Sequence, residues 1–162
     1  MARLPIALAL VVFALGSASA EDKQRMVGGW IVQAGEDRFT DGFKRVIAMR
    51  PDNGVSAFGA RCLSNRVSFV LSDLTLRRIP SERVTIEFRA DRGRIFNTEG
   101  QALDRNVIQF AAKPGMLKAI AESKEFALRA RVGDVTFDRV FSSGGAREVI
   151  KIITDSCPSH DG

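Results

Sequence analysis

From Arg83 to Ala90 the chain alternates strictly: Val84, Ile86, Phe88 and Ala90 take one phase, and Arg83, Thr85, Glu87 and Arg89 the other. Successive side chains of an extended chain point to opposite faces, so a period of two marks a strand with one dry and one wet face. Val67, Phe69 and Leu71 alternate with Arg66, Ser68 and Val70, and Phe126, Leu128 and Ala130 alternate with Ala127, Arg129 and Arg131. The same reasoning predicts strands over 30–33, 43–49, 56–62 and 135–140. Pro51-Asp52-Asn53-Gly54 and Asp91-Arg92-Gly93 separate them as turns.

Two segments switch to the helical period. In Pro114 to Ala121, Met116, Leu117, Ile120 and Ala121 share a stripe, with Pro114 tolerated in the first turn. After Ser142-Ser143-Gly144-Gly145, Ala146, Val149, Ile150 and Ile153 recur at helical spacing, and Pro158 blocks continuation. Cys157 extends that stripe. The order is strands, one helix, two strands, one helix, and most strands lack an intervening helix. It predicts an α+β, mainly β fold: an antiparallel sheet or sandwich with two short helices, one closing the C-terminus.

The opening segment has neither period. Arg3 precedes an unbroken apolar run from Ile6 to Leu15, and Ser17-Ala18-Ser19-Ala20 supplies small residues ahead of Glu21, the pattern of a cleavable secretory signal peptide. A membrane-spanning helix needs about 20 apolar residues, and this run has about half that. Every later apolar stretch is interrupted by charge, so no transmembrane segment is expected in the mature protein. The expected plan is a signal peptide over 1–20, a flexible N-terminal tail over 21–28, a single β-rich domain over 29–157 and a C-terminal tail over 158–162. The address is periplasmic or secreted. Cleavage removes one charge, Arg3, from a formal +5 over the 162 residues. The basic residues are dispersed, without a stripe carrying stacking aromatics, which argues against nucleic acid as a partner.

Cys62 and Cys157 are the only cysteines. In an oxidising compartment a disulfide between them is the simplest reading. The alternatives are two free thiols or one reactive thiol, against which stands the lack of a CxxC. A loop of this length carries about 4 to 5 kcal/mol in the chain-entropy account.

Candidate chemistry is sparse. His160, the single histidine, falls in the C-terminal tail, where the held geometry of a catalytic base is not expected. Glu36, Asp37 and Asp41 form the densest acidic cluster, but their spacing is not that of a calcium loop, and a solvated turn is the preferred reading. Ser142 to Gly145 at a helix start offers free backbone N–H groups to an anion. It lacks the phosphate-loop lysine, so a cap and tight turn explain it. No catalytic residue, metal site or cofactor is predicted. The arginines at 77, 78, 89, 92, 94, 129 and 131 are the one feature able to mark a binding face. If their strands are neighbours, Arg89, Asp91, Arg129 and Arg131 form a candidate patch for an acidic partner or anionic envelope component. The plainer reading is a wet sheet face crossed by charged pairs, including Glu87.

Trp30 opening the first strand, Arg61-Cys62 ending another, Val84 to Asp91, the pair Phe126 to Val132 and Val135 to Phe141, and a last helix closing on Cys157 together resemble the VasI/TagO-like family of small exported proteins associated with bacterial type VI secretion. The Pro158-Ser159-His160 ending departs from that family, which often carries an aromatic after its last cysteine. The resemblance implies a noncatalytic periplasmic accessory or binding domain, a Cys62–Cys157 bridge, and structural or interface roles for Arg89 and Asp91.

The leading expectation is therefore a noncatalytic accessory or binding protein whose partner is a protein or an envelope component. The alternatives are an exported virulence or invasion-associated factor, and a periplasmic cell-wall-directed enzyme or inhibitor.

Overall fold

The computed structural model describes residues 23–36, 44–52, 55–63, 66–75 and 83–157. The segment expected as a signal peptide, the expected C-terminal tail with His160, and Asp37, Asp41, Arg77 and Arg78 lie outside the described residues.

Ten strands and two helices follow in the order β1 (Lys23–Val27), β2 (Trp30–Glu36), β3 (Lys44–Asp52), β4 (Ser56–Leu63), β5 (Arg66–Asp73), β6 (Arg83–Ala90), β7 (Ile95–Asp104), β8 (Val107–Ala111), α1 (Met116–Glu122), β9 (Glu125–Val132), β10 (Val135–Ser142) and α2 (Ala146–Asp155). The strands form a single sheet, β1-β2-β3-β4-β5-β8-β7-β6-β9-β10, in which every pairing is antiparallel. The fold is the expected α+β, mainly β class, with the second helix near the C-terminus.

Three stretches differ from expectation. Lys23–Val27, within the segment read as a tail, is edge strand β1, paired along its length with β2. The region between Arg94 and Pro114 folds as the hairpin β7–β8. Helix α1 begins at Met116, with Pro114 and Gly115 ahead of it.

The alternation of the sequence becomes the two faces of a curled, half-barrel sheet. Ile86 of β6 sits opposite Thr98 of β7 and Ala130 of β9, and all three are buried. Curling brings strands far apart in sheet order into contact. Trp30 of β2 stacks on Phe126 of β9 with ring centroids 6.4 Å apart, and Phe58 of β4 meets the same ring at 4.8 Å. Phe126 also stacks on Phe141 of β10 at 5.5 Å. Aromatic pairs at such separations add to the burial of their large surfaces.

Helix α2 lies against β1 to β4 and against α1, burying Ala146, Val149, Ile150 and Ile153, the stripe expected from the sequence. Cys157, just beyond it, bonds to Cys62 of β4, with Cα atoms 5.5 Å apart across 95 residues of sequence. The expected disulfide is present.

The start of α2 also explains its glycines. Gly145 lies at φ +80° and Gly28, in the β1–β2 turn, at φ +53°. A Cβ on Gly28 would fall 2.5 Å from the Gly145 Cα, and one on Gly145 would fall 2.7 Å from the Gly28 Cα. Backbone meets backbone here, a closeness and a dihedral that only glycine accepts readily.

Candidate functional site

The outer face of β7-β6-β9-β10 is where the sequence placed its candidate patch. Side chains on this face fall into ranks fixed by the strand register. The rank nearest the β6–β7 turn runs Ile95, Arg89, Ala127, Val140. The next runs Asn97, Glu87, Arg129, Asp138, and the third Glu99, Thr85, Arg131, Thr136.

β6 and β9 are neighbours, so Arg89, Arg129 and Arg131 share one face. They do not make a uniform basic patch. Arg129 lies between two acids: its Nε and Nη2 donate to the two Asp138 oxygens at 2.8 and 2.9 Å, and its Nη1 stands 3.6 Å from Glu87. Arg131 reaches the other Glu87 oxygen at 3.0 Å. The bidentate hydrogen bonding to Asp138, with its charge, raises the Arg129 pKa above its ordinary value, and the same bond lowers that of Asp138. The middle ranks are thus charge-compensated, the crossed-pair arrangement weighed above.

Arg89 belongs to the turn instead. Its Nε donates to the Gly93 carbonyl at 3.1 Å and its Nη2 to the Arg92 carbonyl at 3.2 Å. Carbonyl acceptors orient a guanidinium without cancelling its charge. Asp91, at φ +45°, is consumed by backbone: Oδ1 accepts from the Lys124 and Glu125 N–H groups at 3.0 and 3.1 Å, and the Asp91 N–H donates to the Glu125 carbonyl. That carboxylate ties the β6–β7 turn to the α1–β9 turn. Arg94, across the same turn, lies 4.2 Å over the Phe96 ring and donates to the Pro114 carbonyl at 3.2 Å. The α1–β9 turn is tied in turn to the start of α2, through the Ser123–Ser143 hydroxyl pair at 2.7 Å and the Ser143 N–H on the Lys124 carbonyl. In the Ser142 to Gly145 segment the Gly144 N–H is capped by the Ser142 hydroxyl.

One polar cluster escaped the sequence reading. Arg139 occupies the inward phase of β10 between Phe137 and Phe141, opposite Leu128, and crosses the half-barrel to Asp73 at the end of β5. Its Nε lies 2.5 Å from Asp73 Oδ2 as an ion pair, while the directed hydrogen bonds to the carboxylate come from the Thr75 N–H and hydroxyl, at 2.8 and 2.5 Å. Arg139 Nη2 also donates to the Thr75 hydroxyl at 3.0 Å. Asp73 is fully buried. Burial alone would raise its pKa, but the Thr75 hydrogen bonds and Arg139 outweigh it, and the carboxyl sits below its ordinary value. The sequence sign was an arginine on the apolar phase of a strand. Its partner became visible only once β5 and β10 faced each other.

Among the described residues, no three histidine, cysteine, aspartate or glutamate side chains gather as a metal site, and no helix is long and apolar enough to cross a membrane. Asp73, Arg139 and Asp91 serve strand and turn connections.

No protein-family model matches the chain, and no curated protein matches it. Among solved structures, the chain is similar to the crystal structure of invasion associated protein b from Bartonella henselae, with a TM-score of 0.61 and 13% identity over 82% of this chain and 96% of that one. The likeness is one of fold.

Proposed function

We propose that the chain is an exported, noncatalytic binding protein of the cell envelope or its exterior, acting in the kind of role that the name of invasion associated protein b denotes. The fold shared over almost the whole of that protein carries the reading. The Cys62–Cys157 bond supports it, because disulfides persist in oxidising compartments. So does the ordered display of exposed side chains on one sheet face, which suits surface contact more than chemistry.

The VasI/TagO-like resemblance leads to the same compartment and the same noncatalytic role, with a secretion system as the setting. Arg89 and Asp91, which carry that resemblance, build the turn beside this face.

Fractionation of the producing cell tests the proposal. The protein is expected in the periplasm or medium, beginning at Glu21, with an intact mass two hydrogens below that of the dithiol form. Removing it should lower entry into host cells while growth in broth is unchanged. A reduced protein retained in the cytosol sinks the reading.

A further inference from the structure

Five basic residues gather at one end of the sheet. Arg89, Arg92 and Arg94 surround the β6–β7 turn, Lys124 lies in the turn that Asp91 clamps to it, and Lys113 adjoins the Pro114 carbonyl that Arg94 holds. All five are exposed, and none forms an ion pair among the described residues. The nearby acids are Asp91, whose hydrogen bonds to two backbone N–H groups leave its charge in place, Glu122 and Glu125, so the five cations outnumber the acids by two. Two of the guanidinium groups are preset by carbonyls, with donors left over for another ligand.

Apolar surface lies against this charge. The first outer rank sets Ile95, 53% exposed, and Val140, 52% exposed, on either side of Arg89 and the half-buried Ala127. An acidic peptide or polysaccharide would satisfy the cations and leave this rank wet. A surface that presents phosphates above hydrocarbon satisfies both.

We propose that this end, comprising the β6–β7, β8–α1 and α1–β9 turns with the Ile95–Val140 rank, docks on anionic phospholipid headgroups, the cations meeting phosphates and the apolar rank entering the headgroup layer. The proposal rests on the envelope-binding reading and names the surface bound.

The test is co-sedimentation of the purified, disulfide-bonded protein with vesicles of phosphatidylglycerol and phosphatidylethanolamine, against vesicles of phosphatidylcholine. Binding should be selective for the anionic vesicles and weaken as salt rises from about 0.1 to about 0.5 M. Removing charge through Arg92→Gln, Lys113→Gln and Lys124→Gln should cost about fivefold each, about a hundredfold together. Ile95→Ser with Val140→Ser should cost about tenfold. Arg83→Gln removes the same charge at the other end of β6 and should leave binding unchanged, and circular dichroism confirms that each variant is folded.

No binding to anionic vesicles overturns the proposal, as does an equal loss in Arg83→Gln, which would reduce the effect to net charge. Binding to polyglutamate with the vesicles ignored also overturns it and assigns the patch to an acidic protein. Crosslinked partners recovered from intact envelopes by a protein that ignores vesicles would leave the binding-protein reading standing without the lipid. Cytosolic location removes that reading whatever the vesicles show.

Discussion

Arg129 and Arg92 stand on neighbouring parts of one surface and do opposite things. Arg129, in the middle of the outer face, is held by Asp138 and Glu87, and its charge is answered within the sheet. Arg92, at the tip of the β6–β7 turn, follows Asp91 but forms no ion pair among the described residues, and its own carbonyl helps fix Arg89. Arginine content alone does not distinguish them. What does is the register: β6 against β9 brings Glu87 opposite Arg129, and β9 against β10 brings Asp138 opposite it from the other side. One residue type serves as cross-strand mortar where it has acidic rank-mates and as open surface where it has only carbonyls.

Arg139 extends the first behaviour into the interior, and breaking it should have the largest effect. Arg139→Ala leaves Asp73 buried without its cation, a loss of about 3 to 5 kcal/mol in urea unfolding. A loss below about 1 kcal/mol would place the pair among exposed bridges.

The same pair gives a pH signature. The folded pKa of Asp73 lies below the unfolded value of 3.8, so the unfolded chain takes up its proton first as pH falls. The stabilisation is complete above the unfolded value and is lost as pH drops below about 4 through the folded pKa. Urea midpoints across this acid range should fall in the wild type and fall less steeply in Asp73→Asn, which starts lower. Parallel profiles would exclude Asp73 as the source.

Asp91→Ala removes an acceptor for two backbone N–H groups at an exposed turn, a loss of the kind seen for helix caps, about 1 to 2 kcal/mol. Faster amide exchange at Lys124 and Glu125 would report it directly. The smallest effects separate the two arginines of the opening comparison. Arg129→Gln should move neither the unfolding midpoint beyond error nor vesicle binding. Arg92→Gln should leave the midpoint in place and weaken vesicle binding. Equal behaviour of the two variants in both assays would erase the distinction.

Much of this architecture was legible. β6 and β9 read cleanly because each buries one full apolar phase, and α2 because its stripe ends at a cysteine with a single candidate partner. β7 was hidden because its inward phase carries Thr98 and Gly100. A Cβ at Gly100 would meet the Ile86 Cδ1 at 2.8 Å, so the sheet needs a missing side chain where a pattern search looks for a large one. β1 was hidden because an edge strand with polar residues looks like a tail. The candidate patch was half legible. Arg89, Arg129 and Arg131 share a face while Asp91 lies in the turn beside it, and whether a charge is answered depends on which strands are neighbours, a long-range fact that local sequence does not carry.

The contact of Gly28 with Gly145 has a consequence in time. Synthesis delivers the chain from its N-terminus, and the first hairpin cannot take its final seat until the start of the last helix arrives more than a hundred residues later. The Asp73–Arg139 pair and the Cys62–Cys157 bond wait on the same late segment. Contacts so distant in sequence slow folding. A chain halted before residue 139 would carry most of its strands with none of these three closures, and its emerging sheet would need shielding from other edges until the end of the chain is made.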